Sequence, residues 1–340
     1  MSEFCLEISS ANKSFPGVKA LDQASFRLRK GSIHALLGEN GAGKSTLIKI
    51  ITGVHKQDSG KLFINGKEET LNNPNDATKF GISVVHQERN LIRRFSVGEN
   101  LMLNNLPKTA LGLIDYDEIT IKSKKWLEIM DLDIDPKTVV SELTVAKMQL
   151  CEIAKALSLR AKILLLDEPT SSLSPQESEN LFALLKKIVR DEGVSIVFVS
   201  HKLEEVFNIC DDVTVLRDGE NACTSEDIKN LDRQKLVRLM IGRDEQIVKS
   251  ARKIKNAKDT ILALRNVKTE LGHRNIDLEL NRSEIIGLYG LVGAGRTELM
   301  KCLIGQDKIT DGDVIVNGKK VTINSPKTAL EKFKIGYISE

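Results

Sequence analysis

Residues Gly38-Glu39-Asn40-Gly41-Ala42-Gly43-Lys44-Ser45 satisfy the pattern G-x-x-x-x-G-K-[ST], between an apolar run, Ser32 to Leu37, and the helical pattern Lys44 to Thr52. A strand that turns through such a loop into a helix leaves few folds open. The glycines allow conformations that a Cβ disfavours, so backbone N–H groups can close on phosphate oxygens, and the helix N-terminus adds its own N–H groups and dipole. In such a loop Lys44 reaches the β- and γ-phosphates and Ser45 coordinates Mg²⁺, so the pattern points to MgATP. A merely glycine-rich turn is the competing reading.

Further short apolar runs, Ile82 to Val85, Ile163 to Leu166, Ser195 to Val199 and Val213 to Leu216, read as buried strands. Helical patterns lie before and after the run Ile163 to Leu166, at Val145 to Ser158 and Pro175 to Glu192. The expected class is therefore α/β with a mostly parallel sheet.

The segment around Gly38 recurs around Gly290, an offset of 252 residues. At the same offset Gly41 meets Gly293, Gly43 meets Gly295, Gly53 meets Gly305, Gly60 meets Gly312, Asn65-Gly66 meets Asn317-Gly318, Pro74 meets Pro326 and Glu88 meets Glu340. Chance does not hold that register for fifty residues. The chain therefore reads as a complete copy over 1–248, a polar linker over 249–259, and the N-terminal part of a second, degenerate copy over 260–340.

With 340 residues there is room for about two domains. A composition of 41% apolar, 29% charged and 4% aromatic residues fits a globular protein whose core rests on Ile, Leu and Val. The net charge of +3 is too small to advertise nucleic-acid binding, and the locally basic run Lys249 to Lys258 reads as a solvated linker. The five cysteines have no C-x-x-C spacing, so no zinc site or disulfide framework is suggested and a reducing compartment is expected. Neither a signal peptide nor a run of about 18 apolar residues is present, so any membrane association is expected to come through a partner protein.

Ile163-Leu164-Leu165-Leu166-Asp167-Glu168 is an apolar strand ending in two acids. Such a pair suits Mg²⁺ support by Asp167 and polarisation of an attacking water by Glu168, although two acids at a strand end are also a common solvated corner.

With these residues in this order, the chain resembles the ATPase subunits of ABC transporters, a P-loop fold in which a mostly parallel sheet is joined by an antiparallel and a helical subdomain. The resemblance implies nucleotide contacts at Phe15 and along Gly38, Glu39, Asn40, Gly41, Ala42, Gly43, Lys44, Ser45 and Thr46. It implies Mg²⁺ contacts at Ser45, Gln87 and Asp167, and catalytic roles for Glu168, His201 and Gln87. Phe15 would stack on adenine, though an apolar Phe near the N-terminus is as easily core. His34, His55, His86 and His273 match no role in the family.

Three departures stand out. The family's Leu-Ser-Gly-Gly-Gln signature reads Leu143-Thr144-Val145-Ala146-Lys147-Met148-Gln149, which keeps a hydroxyl at Thr144 but replaces both glycines. The second loop, Gly290-Leu291-Val292-Gly293-Ala294-Gly295-Arg296-Thr297, carries Arg296 for lysine, a planar cation not equivalent to a point ammonium. Ser339 stands where the first copy has Gln87. An ABC sandwich builds each site from one copy's loop and the other's signature, so one site would be degenerate on both sides. The other would need a signature from a second ABC domain, in cis or in trans.

This asymmetry, with Asp167-Glu168-Pro169-Thr170-Ser171-Ser172-Leu173-Ser174, resembles the duplicated ATPases of bacterial monosaccharide importers of the ribose, galactose or allose type. It implies ATP and Mg²⁺ as cofactors, two transmembrane permease subunits and a periplasmic sugar-binding protein as partners, no direct sugar contact and no nucleic acid. The implied place is the cytoplasmic face of the bacterial inner membrane. Two alternatives stay open: a C-terminally truncated product that binds nucleotide but cannot complete a hydrolytic site, and a soluble twin-cassette ATPase acting on ribosomes. The short linker, Arg296 and the altered signature oppose the latter.

Overall fold

Alternating apolar residues open the chain as a hairpin, Phe4–Phe15 (β1) with Val18–Arg29 (β2), and Ile33–Leu37 (β3) then leads through the glycine loop into Lys44–Ile51 (α1). A second hairpin, Ser59–Ile64 (β4) with Lys67–Glu69 (β5), precedes Pro74–Lys79 (α2) and Ile82–Val85 (β6). Three helices follow, Val97–Met102 (α3), Tyr116–Ile129 (α4) and Val145–Ser158 (α5). The chain then alternates as Ile163–Asp167 (β7), Pro175–Glu192 (α6), Ser195–Val199 (β8), Leu203–Ile209 (α7), Asp212–Arg217 (β9), Glu220–Asp227 (β10) and Arg233–Ile241 (α8). The computed structural model describes residues 3–86, 90–242, 259–290 and 294–338.

The chain forms two compact units, Met1–Ile247 and Val248–Glu340. In the first, β2-β1-β4-β5 make an antiparallel sheet, and a six-stranded sheet runs β10-β9-β3-β8-β7-β6. The pairs β9–β3, β3–β8, β8–β7 and β7–β6 are parallel and only the edge strand β10 is antiparallel. Both faces of this sheet are covered, which is why its strands read as continuous apolar runs rather than as alternation. Ile33, Ala35 and Leu37, with Leu164, Leu166, Ile196 and Phe198, pack into one core against α3 to α6. Leu36, Ile163, Leu165, Val197 and Val199 pack into another with α1 and the antiparallel sheet.

Helix ends are marked in the sequence. Ser174 and Glu177 form a capping box on α6, Gly193 ends that helix in the left-handed region at φ 65°, and Asn73 caps α2 ahead of Pro74.

The second unit contains Thr260–Thr269 (β11), Ile276–Asn281 (β12), Arg296–Leu303 (α9), Ile309–Val316 (β13), Lys319–Val321 (β14) and Pro326–Phe333 (α10), with sheet order β12-β11-β13-β14. Shifted by 252 residues, α1 and β5 coincide with α9 and β14, and both α2 and α10 begin at the shifted proline. Both short hairpins turn on Asn-Gly with positive φ, 52° and 81° at Asn65-Gly66 and 47° and 75° at Asn317-Gly318, the geometry of a type I′ turn. Among the described residues β3 and β6 have no strand at their shifted positions, 285–289 and 334–337. Residues 284–290, opposite β3 in the repeat, form no strand, with Ile285 86% and Tyr289 99% exposed.

Candidate nucleotide site

Three chain segments leave the carboxyl ends of neighbouring parallel strands, where ligands of open α/β sheets bind. The glycine loop follows β3, Glu168 follows β7, and Ser200-His201 follow β8. The strand order β3-β8-β7 brings together residues that lie more than a hundred positions apart.

Sterics explain two of the loop glycines. A Cβ at Gly38, at φ 149°, would lie 2.3 Å from the Leu216 carbonyl oxygen. At Gly43, at φ 104°, it would lie 2.7 Å from both the Ala20 oxygen and Leu21 Cδ2. Gly41, at φ 85°, has nothing within 4 Å of its Cβ position, so backbone conformation alone selects glycine there. Ala42 is buried and its N–H donates to the Glu39 oxygen at 3.1 Å. Gly43 caps α1 without a side-chain bond, leaving the first N–H groups of that helix without a side-chain acceptor.

Lys44 Nζ donates to the carbonyls of Gly38 at 2.8 Å and Glu39 at 2.9 Å. Burial pushes its ammonium below the usual lysine range, and the charges of Glu168 and Asp167 pull it back. Asp167 is pushed above the usual carboxylate range by burial and then by the charge of Glu168, with His86 and Lys44 opposing. Glu168 is a non-glycine residue at φ 48°, a left-handed conformation that costs about 1–2 kcal/mol. The strain turns the chain out of β7 while the Glu168 N–H donates to the Val199 oxygen at 3.0 Å. Glu168 Oε1 then stands 3.1 Å from His201 Nδ1.

A cavity of about 470 Å³ is lined by Gly38, Glu39, Asn40, Lys44, Glu168, Ser200, His201 and Met240. Lysine and the glycine backbone thus face a carboxylate and an imidazole across one space, a donor set for a polyphosphate beside a base that can hold water. Asp167 lies beside this space at the end of β7, coupled by charge to Lys44. Ser45 is exposed in the first turn of α1 and Thr46 half-buried beside it. Gln87 lies outside the described residues, as do 88–89, 243–258, 291–293 and 339–340.

Phe15 is placed at the end of β1 and is 38% exposed, so it is not a core residue. Its ring meets His55 edge-on at a centroid distance of 5.3 Å, and Lys13 Nζ lies 5.7 Å from its centroid. No sequence signal singled out His55. Ser200 and Met240 of the cavity were missed too; Ser200 is findable from its adjacency to His201, whereas Met240 has no local signal.

The altered signature still opens a helix. Thr144 Oγ1 accepts from Lys147 N at 3.3 Å as the cap of α5, Thr144 and Lys147 are exposed, and Val145 is 38% exposed. In the second unit the side chain of Arg296 lies over Gly290, with Cδ and Nε 3.7 and 3.9 Å from that glycine's Cβ position.

The sequence profile of the family described as "ABC transporter" matches residues 21–171 and 273–340. The chain is 41% identical over 325 residues to the arabinose import ATP-binding protein AraG of Vibrio parahaemolyticus, covering 96% of this chain and 64% of that protein. It is 42% identical over 330 residues to the galactose/methyl galactoside import ATP-binding protein MglA of Escherichia coli O157:H7, with coverage again 96% and 64%. The chain thus spans about 64% of the length of these relatives. Among solved structures it is similar to the ADP conformation of MJ1267, an ATP-binding cassette of an ABC transporter, with TM-score 0.62 and 28% identity over 71% of this chain and all of that one.

Proposed function

This chain belongs to the ABC transporter family of ATP-binding cassettes, and on that premise we propose that it binds and hydrolyses ATP to drive import of a monosaccharide. The observation that carries the reading is the cavity in which Lys44 and the glycine loop face Glu168 and His201. Import of a sugar is supported by the names of relatives at 41–42% identity, which serve arabinose and galactose. Two transmembrane permease subunits and a periplasmic sugar-binding protein are the proposed partners, at the cytoplasmic face of the inner membrane. Among the described residues no helix is long and apolar enough to cross a membrane, so contact with the bilayer is assigned to those partners.

The residues divide the chemistry. Lys44 is held by two neutral carbonyls, bonds that a phosphate's charged oxygens would outcompete. The N–H groups at the start of α1 would take the remaining phosphate oxygens. Ser45 and Asp167 would supply hard oxygen donors suited to Mg²⁺, with Gln87 proposed to join them. Asp167 is held above the usual carboxylate range first by burial and then by the charge of Glu168, and a bound cation would offset that charge. Bound there, the metal would neutralise charge on the β- and γ-phosphates. Glu168 would polarise the attacking water, and His201, 3.1 Å away, would hold that carboxylate in place and reach the γ-phosphate.

A signature from a second ABC domain, in cis or trans, would complete the site. The first-unit domain is proposed as 1–248, with a second beginning near residue 260. The test is ATP binding and steady-state hydrolysis of Glu168→Gln and Lys44→Ala. Glu168→Gln should bind ATP and lose hydrolysis by about 10²–10⁴-fold. Lys44→Ala should weaken binding by about ten- to a hundredfold, the worth of a charge-assisted contact. Unchanged turnover in Glu168→Gln would overturn the assigned mechanism.

A further inference from the structure

The carboxylate of Glu205, in the first turn of α7, is 8% exposed and points away from solvent. Thr170 Oγ1 donates to it, lying 2.8 Å from both of its oxygens, and Ser200 Oγ donates to Oε2 at 2.8 Å. Lys202 Nζ stands 3.1 Å from Oε1. Thr170 and Ser200 are themselves 2% and 5% exposed. A buried carboxylate is costly unless its lone pairs are filled, and here two buried hydroxyls each commit their one proton to it. Ser200 Oγ also accepts from Lys202 N at 3.1 Å, which closes the turn around His201.

The placement of the two hydroxyls is the telling point. Thr170 comes two residues after Glu168, on the segment leaving β7. Ser200 comes one residue before His201, on the segment leaving β8. Glu205 therefore fastens, from behind, the same two segments whose side chains meet in front through Glu168 and His201. Glu205 does not line the nucleotide cavity.

We propose that Glu205 is a positioning residue that locks the segments carrying Glu168 and His201 into one unit, so that base and imidazole keep their mutual geometry through the catalytic cycle. Its contribution to turnover rests on the ATPase reading above, whereas the locking itself does not. Losing the lock lets the imidazole drift from the carboxylate, and misplacement of about an ångström costs rate rather than affinity. Among the described residues no hydrogen bond or ion pair joins Glu205 to the glycine loop or to Lys44, so the effect is expected on turnover rather than on nucleotide affinity.

Two measurements on the full chain test this. The first is hydrogen exchange without nucleotide, on wild type, Thr170→Val, Ser200→Ala, Glu205→Gln and Glu205→Ala. Thr170→Val should speed exchange of residues 199–203, across the bridge, by about tenfold, the ratio set by loss of one hydrogen bond to a charged group. Ser200→Ala should do the same to 168–172, and Glu205→Gln should fall between wild type and Glu205→Ala. Faster exchange confined to the mutated segment would overturn the lock. The second is ATP turnover, in which Thr170→Val and Glu205→Gln should lower kcat by about tenfold with KM unchanged. A raised KM at constant kcat would overturn the positioning role. A wild type that neither binds nor hydrolyses ATP would sink the ATPase reading, while the exchange result would still decide whether the lock exists.

Discussion

His34 lies on β3, fully buried, its ring edge-on to Phe26 at 4.7 Å and its Nε2 2.9 Å from Thr214 Oγ1. Its Nδ1 has no hydrogen-bond partner among the described residues, and burial, helped by the charge of Arg29, lowers its pKa from 6.5 to about 3. The folded chain thus keeps this ring neutral while the unfolded chain takes a proton below pH 6.5, so stability rises with pH between about 3 and 6.5 and is lost as pH falls through that window. Denaturant unfolding should register this as a loss of about 2 kcal/mol between pH 7 and pH 5, from about 1.4 kcal/mol per unit once the unfolded ring is protonated. His34→Gln keeps a partner for Thr214 and should remove that component of the slope; an unchanged slope would show that other groups set it. Asp212 beside it is a different case. It is 3% exposed and held bidentately by Arg29 at 2.7 Å, so Arg29→Ala should be more harmful than loss of an ordinary surface pair, since the carboxylate stays buried without its cation.

Among the elements, the loop and helix starts are where single substitutions separate backbone from contact effects. Gly38→Ala would drive a Cβ into the Leu216 carbonyl on β9 and force two paired strands apart, at a cost of about 1–3 kcal/mol. Gly41→Ala meets open space and should cost about 1 kcal/mol, the price of a left-handed alanine. Thermal melts of the two variants should therefore rank Gly38→Ala below Gly41→Ala, and an inverted order would contradict the packing. Thr144→Ala removes the cap of α5 and should destabilise by about 1 kcal/mol, within the range of N-cap losses. Thr144→Ser retains the bond and should melt close to wild type, which separates the cap from the bulk of the side chain.

For the whole molecule, the two units differ in how much of their apolar surface is covered. Leu165 of the first and Val267 of the second are both fully buried. If each unit unfolds about its own core, calorimetry should resolve two transitions, with Leu165→Ala shifting one and Val267→Ala the other. A single transition that moves with either substitution would contradict that division. Much of this was legible in the residues. The phosphate loop, the paired acids, the strands of the parallel sheet and the 252-residue register all rest on local patterns, because glycine conformation, caps and apolar runs are properties of a few neighbouring residues. Tertiary structure decided the rest. Only the order β3-β8-β7 sets His201 beside Glu168 and Thr170 behind them, since pairing between strands is a long-range choice that no window of sequence encodes. The same limit explains the repeat. Ile33 is 2% and Leu37 0% exposed, whereas Ile285 and Tyr289, at the matching positions of an equally apolar run, are 86% and 99% exposed. A run can propose a strand, but only neighbouring strands on both sides bury it, and β8 and β9 provide those for β3.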